Sequence, residues 1–235
     1  VDLIFHPKCV HSDAAVGFML FWRNKKATER LLNGYRKFRR TTFRRQQGTY
    51  KRLARQGQSP KVLVIGCSDS RVSPSVVFGA QPGDIFVARN IANIVPPHDP
   101  DGRPRSIGAV VEYAVKVLEV TDIVVKGHAR CGGVAALVSA GHGLPETDYL
   151  KPWVEVAAPA RNLFPPDFDN MSAEEKRLAA ELAVIQNSVL NLSGFPWVRQ
   201  RMEEDKLRIH GWHFDFESGQ LLLHDAESGE WVKVE

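Results

Sequence analysis

The sequence predicts an α/β protein built on a mainly parallel β-sheet, and three observations support this. Two β-branched runs bounded by turn signals, Lys61-Val62-Leu63-Val64-Ile65 and Thr121-Asp122-Ile123-Val124-Val125-Lys126, read as buried parallel strands. A third run, Ile85-Phe86-Val87-Ala88, lies between them. Helical patterning separates the runs, so residues 61–126 read strand, helix, strand, helix, strand, an order that requires right-handed crossovers.

Bulk properties agree with a single large α/β domain. A length of 235 residues with 43% hydrophobic content can bury a substantial core. Three cysteines do not make a disulfide framework and favour a reducing compartment, read here as the cytoplasm. The basic character is local. Residues 30–61 hold eleven Lys and Arg and no acid against a chain net of +4, so the remainder is net acidic.

In chain order, residues 1–26 read as a soluble extension. Ala14 to Trp22 is apolar but falls short of the roughly 20 residues of a membrane span, and no cleavage pattern follows it. His6, Cys9 and His11 lack a fourth ligand and are read as part of a solvated or partner-packed arm. Residues 27–56 read as two helical pieces in which Leu31, Leu32, Tyr35, Phe38, Phe43, Tyr50 and Leu53 interrupt the basic residues. Such a stretch can neutralise phosphates. Without a nucleic-acid fold signature, the favoured reading is a solvated face whose aromatics dock on a partner subunit.

Ser73-Pro74 reads as a helix start, Gln81-Pro82-Gly83-Asp84 as a turn, and the proline-rich 96–104 segment as a loop. Ser106 can cap a helix with Ile107, Val110, Val111, Ala114, Val115 and Leu118 on one face. Residues 134–140 continue as a short helix, and 141–171 read as irregular, with Pro159 breaking any helix around Trp153. Ser172 and Glu175 form a capping-box pattern before the stripe Leu178, Leu182, Ile185, Val189 and Leu192, expected to cover one sheet face. A short helix near 196–204 precedes strand-like runs. Residues 207–210 are expected at a sheet edge, 213–216 and 221–223 as a hairpin, and His210, His213 and His224 at the surface or an edge.

The chemistry concentrates where two strands end. Cys67 leaves the first strand and His128 the third, with Cys131 three residues on, and ligands of open α/β sheets bind beyond the carboxyl ends of the strands. Two thiols and an imidazole suit zinc and leave a fourth position for water or substrate. The alternative is that both cysteines are small buried hydrophobes. Asp69 and Arg71 stand at the mouth, where Arg71 can hold the carboxylate by a charge-assisted pair. The backbone amides of Gly132 and Gly133, at a helix start, can support oxyanion charge.

Cys67-Ser68-Asp69-Ser70-Arg71, Arg89-Asn90-Ile91-Ala92-Asn93 and Gly127-His128-Ala129-Arg130-Cys131-Gly132-Gly133, in this order and spacing, resemble the β-carbonic anhydrases of the plant-type branch, over residues from about 30 to about 217. The resemblance implies an α/β/α sandwich around a mainly parallel sheet, with an N-terminal helical arm and a C-terminal strand and hairpin extension. It implies zinc on Cys67, His128 and Cys131, with Asp69 and Arg71 catalytic. It also implies a substrate pocket of Gln58, Phe86, Ile91 and Tyr113 supplied by a partner subunit, in a dimer or tetramer. Val64 stands where the branch with an allosteric bicarbonate site carries tryptophan, so that switch is not expected.

The expected organisation is an extension over 1–26, a helical dimerisation arm over 27–56 and a zinc-binding α/β carbonic anhydrase domain over 57–235. The expected activity is reversible hydration of carbon dioxide to bicarbonate and a proton by zinc-hydroxide attack, with no nucleic-acid or membrane partner. Hydrolysis of carbonyl sulfide or carbon disulfide on the same scaffold is the alternative. A non-enzymatic zinc- or nucleic-acid-binding protein is the alternative from a different class.

Overall fold

β1 (Val62–Cys67) lies between β2 (Ile85–Asn90) and β3 (Asp122–His128), both parallel to it. β4 (Arg208–Phe214) adds parallel to β3, and β5 (Leu221–His224) and β6 (Trp231–Lys233) add antiparallel, giving the order β2-β1-β3-β4-β5-β6. The computed structural model describes residues 25–101, 105–139 and 147–235. The expectations for residues 1–24 and for Gly102, Pro104 and Pro145 lie outside the described residues.

The helices are α1 (Lys25–Arg40), α2 (Thr42–Gln56), α3 (Pro74–Val77), α4 (Ser106–Glu112), α5 (Gly132–Val138), α6 (Leu150–Glu155), α7 (Ala173–Ser193) and α8 (Pro196–Glu203). α1 and α2 belong to one unit and residues from Gly57 onward to another. Within the first unit, Phe38, Phe43 and Tyr50 pack ring against ring at 5.3–6.3 Å. Leu31 and Tyr35 remain 74% and 57% exposed.

One sheet face is the main core. Leu63, Ile65, Ile123 and Val125 meet Ile107, Val111 and Val115 from the α4 region, Ile185 and Leu192 of α7, and Val198 of α8. Alternate residues of a strand face opposite ways, so Val64, Val124 and Lys126 belong to the other face. α4 runs into a π turn over Tyr113–Val117, closed by the Leu118 N–H donating to the Tyr113 carbonyl at 3.0 Å. Such wide turns recur at functional sites, and this one leaves Tyr113 45% exposed.

α7 opens with the expected capping box at Ser172 and Glu175. Its buried face keeps Ile185 and Leu192 of the expected stripe but extends to one side of it. Ala180, Glu181, Val184, Ile185 and Ser188 are buried while Leu178 is 41% exposed, because small residues let the helix approach the sheet closely. Gly127 and Gly211 make the matching recess. A Cβ on Gly127 would stand 2.5 Å from Ile185 Cδ1, and one on Gly211 3.0 Å from Ile185 Cγ2.

Two expectations for the tail are corrected. Residues 208–214 form one interior strand, because β5 and β6 extend the sheet beyond it and β6 takes the edge. His213 is therefore not at the surface. It is 2% exposed and faces α7, where Glu181 bonds its ring. Ser73 occupies the N-cap position of α3 but makes no side-chain cap bond, and α3 is only one turn long. Among the described residues, no helix is long and apolar enough to cross a membrane.

Candidate metal centre

The strand register assembles the site. Cys67 pairs with Asn90 and Gly66 with Lys126, so Cys67 ends β1 level with Gly127, one residue before His128. A turn after β3 then brings back Cys131 as the N-cap of α5. The ligand atoms of Cys67, His128 and Cys131 lie within 4.8 Å of one another, and all three residues are buried. The two cysteines are free, with sulfurs 3.9 Å apart. That is far beyond the ~2.05 Å of a disulfide.

Several bonds fix this geometry. His128 Nδ1 donates to the Ala129 carbonyl at 2.8 Å, leaving Nε2 buried with no hydrogen-bond partner in the protein. An orphaned ring nitrogen beside two sulfurs is the arrangement a metal completes. Arg89 donates Nε to the Cys67 carbonyl at 2.8 Å and Nη2 to the Asp69 carbonyl at 2.6 Å, tying β2 to the loop after β1. Lys126, fully buried, donates to the Val72 carbonyl at 2.8 Å and pins the far end of that loop. Burial pushes the Lys126 ammonium down to about 8.

The electrostatics favour a thiolate. Cys67 is held well below the usual thiol range, first by a hydrogen bond from Cys131, then against burial by His128 and the backbone N–H groups of Asp69 and Ala92. Cys131 is pushed up by its bond to Cys67 and by burial, so the metal-free pair holds one proton between two sulfurs. Burial lowers the His128 ring, but the Cys67 sulfur beside it and the bond to the Ala129 carbonyl outweigh this and the net shift is upward. Ala92 faces the thiolate from a left-handed conformation, φ 63, inside a turn that Asn90 brackets through Ile94.

Asp69 stands outside the three-residue cluster. Its Oδ1 accepts from the Arg71 backbone N–H and Nε, both at 2.9 Å, and Oδ2 from Arg71 Nη2 at 2.6 Å. The Arg71 side chain holds the Asp69 carboxyl far below the usual carboxylate range. The guanidinium itself lies 4.2 Å over the Phe216 ring.

The expected pocket residues divide by position. Phe86 and Tyr113 pack together at 5.8 Å, but Phe86 pairs with Leu63, four residues along the strand from the Cys67 level and about 13 Å away. Gln58 is exposed in the segment before β1. Ile91, grouped with them in the sequence, lies elsewhere along the sheet. It follows Asn90 at the cluster end, and a Cβ on Gly133 would be 2.7 Å from its Cγ2, so it sits against α5 of its own chain. The same measurement assigns Gly133 a packing reason for being glycine, whereas nothing lies within 4 Å of a Cβ on Gly132.

Sequence reasoning gave no separate role to Arg89, Lys126 or Glu181, and placed His213 at the surface or an edge. Glu181 had a readable signal, since a carboxylate three residues after Leu178 and four before Ile185 falls on the apolar side of a helix. Lys126 had one too, as a charge inside a buried strand.

A family model described as carbonic anhydrase matches residues 62–221. The chain is 37% identical over 203 residues to beta carbonic anhydrase 3 of Arabidopsis thaliana, covering 86% of this chain and 78% of that protein. Among solved structures, the β-carbonic anhydrase CcaA superposes with a TM-score of 0.82 at 30% identity, over 88% of this chain and 92% of that one. A tetrameric β-carbonic anhydrase of the filamentous ascomycete Sordaria macrospora gives 0.75 at 29% identity, over 90% of this chain and all of that one.

Proposed function

The chain belongs to the β-carbonic anhydrase family, and from that membership we propose that Cys67, His128 and Cys131 bind one zinc ion at which carbon dioxide is reversibly hydrated to bicarbonate and a proton. The enzyme class is carbonate dehydratase, a lyase. The observation that carries the zinc reading is the cluster geometry. Zinc–sulfur bonds of about 2.3 Å in a tetrahedron put two sulfurs about 3.8 Å apart, against 3.9 Å here.

When bound, zinc supplies Lewis acidity that brings the pKa of a coordinated water to about 7, the reference case being a carbonic anhydrase site of three neutral histidines. Two thiolates donate more charge than imidazoles, so activity is expected to rise into the mildly alkaline range. Asp69, kept ionised by Arg71, has no proton to give. It could only accept a hydrogen bond from the attacking oxygen, and would so set which lone pair faces carbon dioxide. Arg71 holds both Asp69 oxygens, so the carboxylate would not compete with water or substrate as a further ligand. The backbone N–H of Gly132 would be the one left to support a developing oxyanion, since the Gly133 N–H is turned to the Cys131 sulfur.

Ile91 lines the apolar side of this chain's own site. Phe86, Tyr113 and Gln58 are too far along the sheet for that role and serve the site of a second copy, Gln58 offering its amide N–H to a substrate oxygen. Self-association is supported by the tetrameric relative and by the exposed Leu31 and Tyr35 on α1. Residues 27–56 act as the arm that makes it, and residues 57–235 as the catalytic domain. Two adjacent free thiols suit a reducing compartment such as the cytoplasm. Metal analysis tests the assignment, with one zinc per chain expected in the purified protein and none in Cys67→Ser.

A further inference from the structure

The turn that carries Cys131 is held from behind by a buried carboxylate that the zinc chemistry does not use. Glu181, on α7, is 3% exposed and His213, on β4, 2%. Glu181 Oε1 accepts the Cys131 backbone N–H at 3.0 Å, and Oε2 lies 2.9 Å from His213 Nε2. A carboxylate is strongly disfavoured at such depth unless donors meet it, and here one donor meets each oxygen. His213 Nδ1 is buried without a partner. A proton there would be an orphaned donor, so the ring hydrogen on Nε2 is the one donated to Glu181.

The turn needs such a hold. Arg130 has φ 55, a left-handed conformation that a residue with a side chain adopts only when its surroundings impose it. Cys131 follows in an extended conformation, φ −73 and ψ 116, as the cap of α5, so its N–H has no helical partner. Without Glu181 that N–H would be buried and unpaired. Relaxation of Arg130 would then be opposed by one bond fewer, and the Cys131 sulfur would lose part of what fixes it beside Cys67 and His128.

We propose that Glu181, oriented by His213, is a positioning residue for Cys131. It holds the His128–Cys131 turn in the conformation that sets the two sulfurs at ligating distance before any metal arrives. The inference rests on the zinc reading above.

The test is zinc affinity of the metal-free full chain, measured by competition with a chromophoric chelator, together with the visible spectrum after cobalt loading. The thiolate-to-cobalt band reports how many sulfurs bind. Glu181→Leu is expected to weaken zinc binding about 10–100-fold, the range for groups that orient metal ligands, and to lower that band. Glu181→Gln keeps an acceptor for the Cys131 N–H and is expected to lose less. If Glu181→Leu does not fold, Glu181→Gln and His213→Leu decide, each with a measurable loss of affinity. Wild-type affinity and an unchanged cobalt spectrum in folded Glu181→Leu, or in both milder variants, would overturn the proposal. A wild-type protein that binds neither ion would instead refute the zinc reading, and this inference with it.

Discussion

Gly127→Ala probes the contact that sets His128 against α7. The new Cβ would lie 2.5 Å from Ile185 Cδ1 and 2.7 Å from Cγ1, and Ile185 is fully buried. Carbon–carbon contacts are normally about 3.5–4.0 Å, so the overlap is about 1 Å and the buried side chain must shift. Overpacking of this kind costs about 1–3 kcal/mol. Alanine recovers about 0.4–1 kcal/mol by restricting the unfolded chain, because Gly127 does not occupy the left-handed region. A net loss of about 1–2 kcal/mol is expected in urea melts, with weakened zinc retention because the displaced strand carries His128. Ile185→Ala alone should cost about 2–5 kcal/mol. In the double variant the alanine methyl fills part of that cavity, so the loss should fall short of the sum by about 0.5–3 kcal/mol. Gly127→Ala as stable as wild type, or strict additivity in the double variant, would refute the close approach.

Asp69→Asn should retain zinc, because Asp69 is not among the ligands, yet lower kcat about 100-fold or more, as read by stopped-flow hydration and metal analysis. Lys126 should make stability depend on pH. Its folded value of about 8 lies below the ~10.4 of an unfolded lysine, so between these the unfolded chain holds more protons and stability rises with pH. Urea melts should show a rise of up to about 3 kcal/mol over that window, absent in Lys126→Met. Leu31→Asp combined with Tyr35→Asp should shift the sedimentation equilibrium toward smaller species, while an unchanged mass would show that α1 is not the interface.

The parallel strands and their ends were legible because β-branched runs and turn residues are local signals. Cys67, His128 and Cys131 could be grouped from sequence because strand ends in an α/β sheet converge. The interior place of β4 was not legible, since it depends on β5 and β6 folding back beyond it, and His213 became buried for the same reason. The stripe of α7 was right at Ile185, Val189 and Leu192, but it took in Leu178, which is 41% exposed, because leucines dominate a hydrophobic pattern. Ile185 fills the recess over Gly127 and Gly211, and Ala180, Val184 and Ser188 widen the buried face beside it. Arg89 looked like part of a motif, but its work of fastening the Cys67 and Asp69 carbonyls depends on register between two strands.

The central claim is tested most directly by stopped-flow carbon dioxide hydration from about pH 6 to about pH 9, on protein of known zinc content with Cys67→Ser alongside. Turnover proportional to zinc, rising with pH and lost in Cys67→Ser, is the expected result. Stoichiometric zinc without turnover at any pH would contradict the account and point to another substrate, with carbonyl sulfide the next to assay.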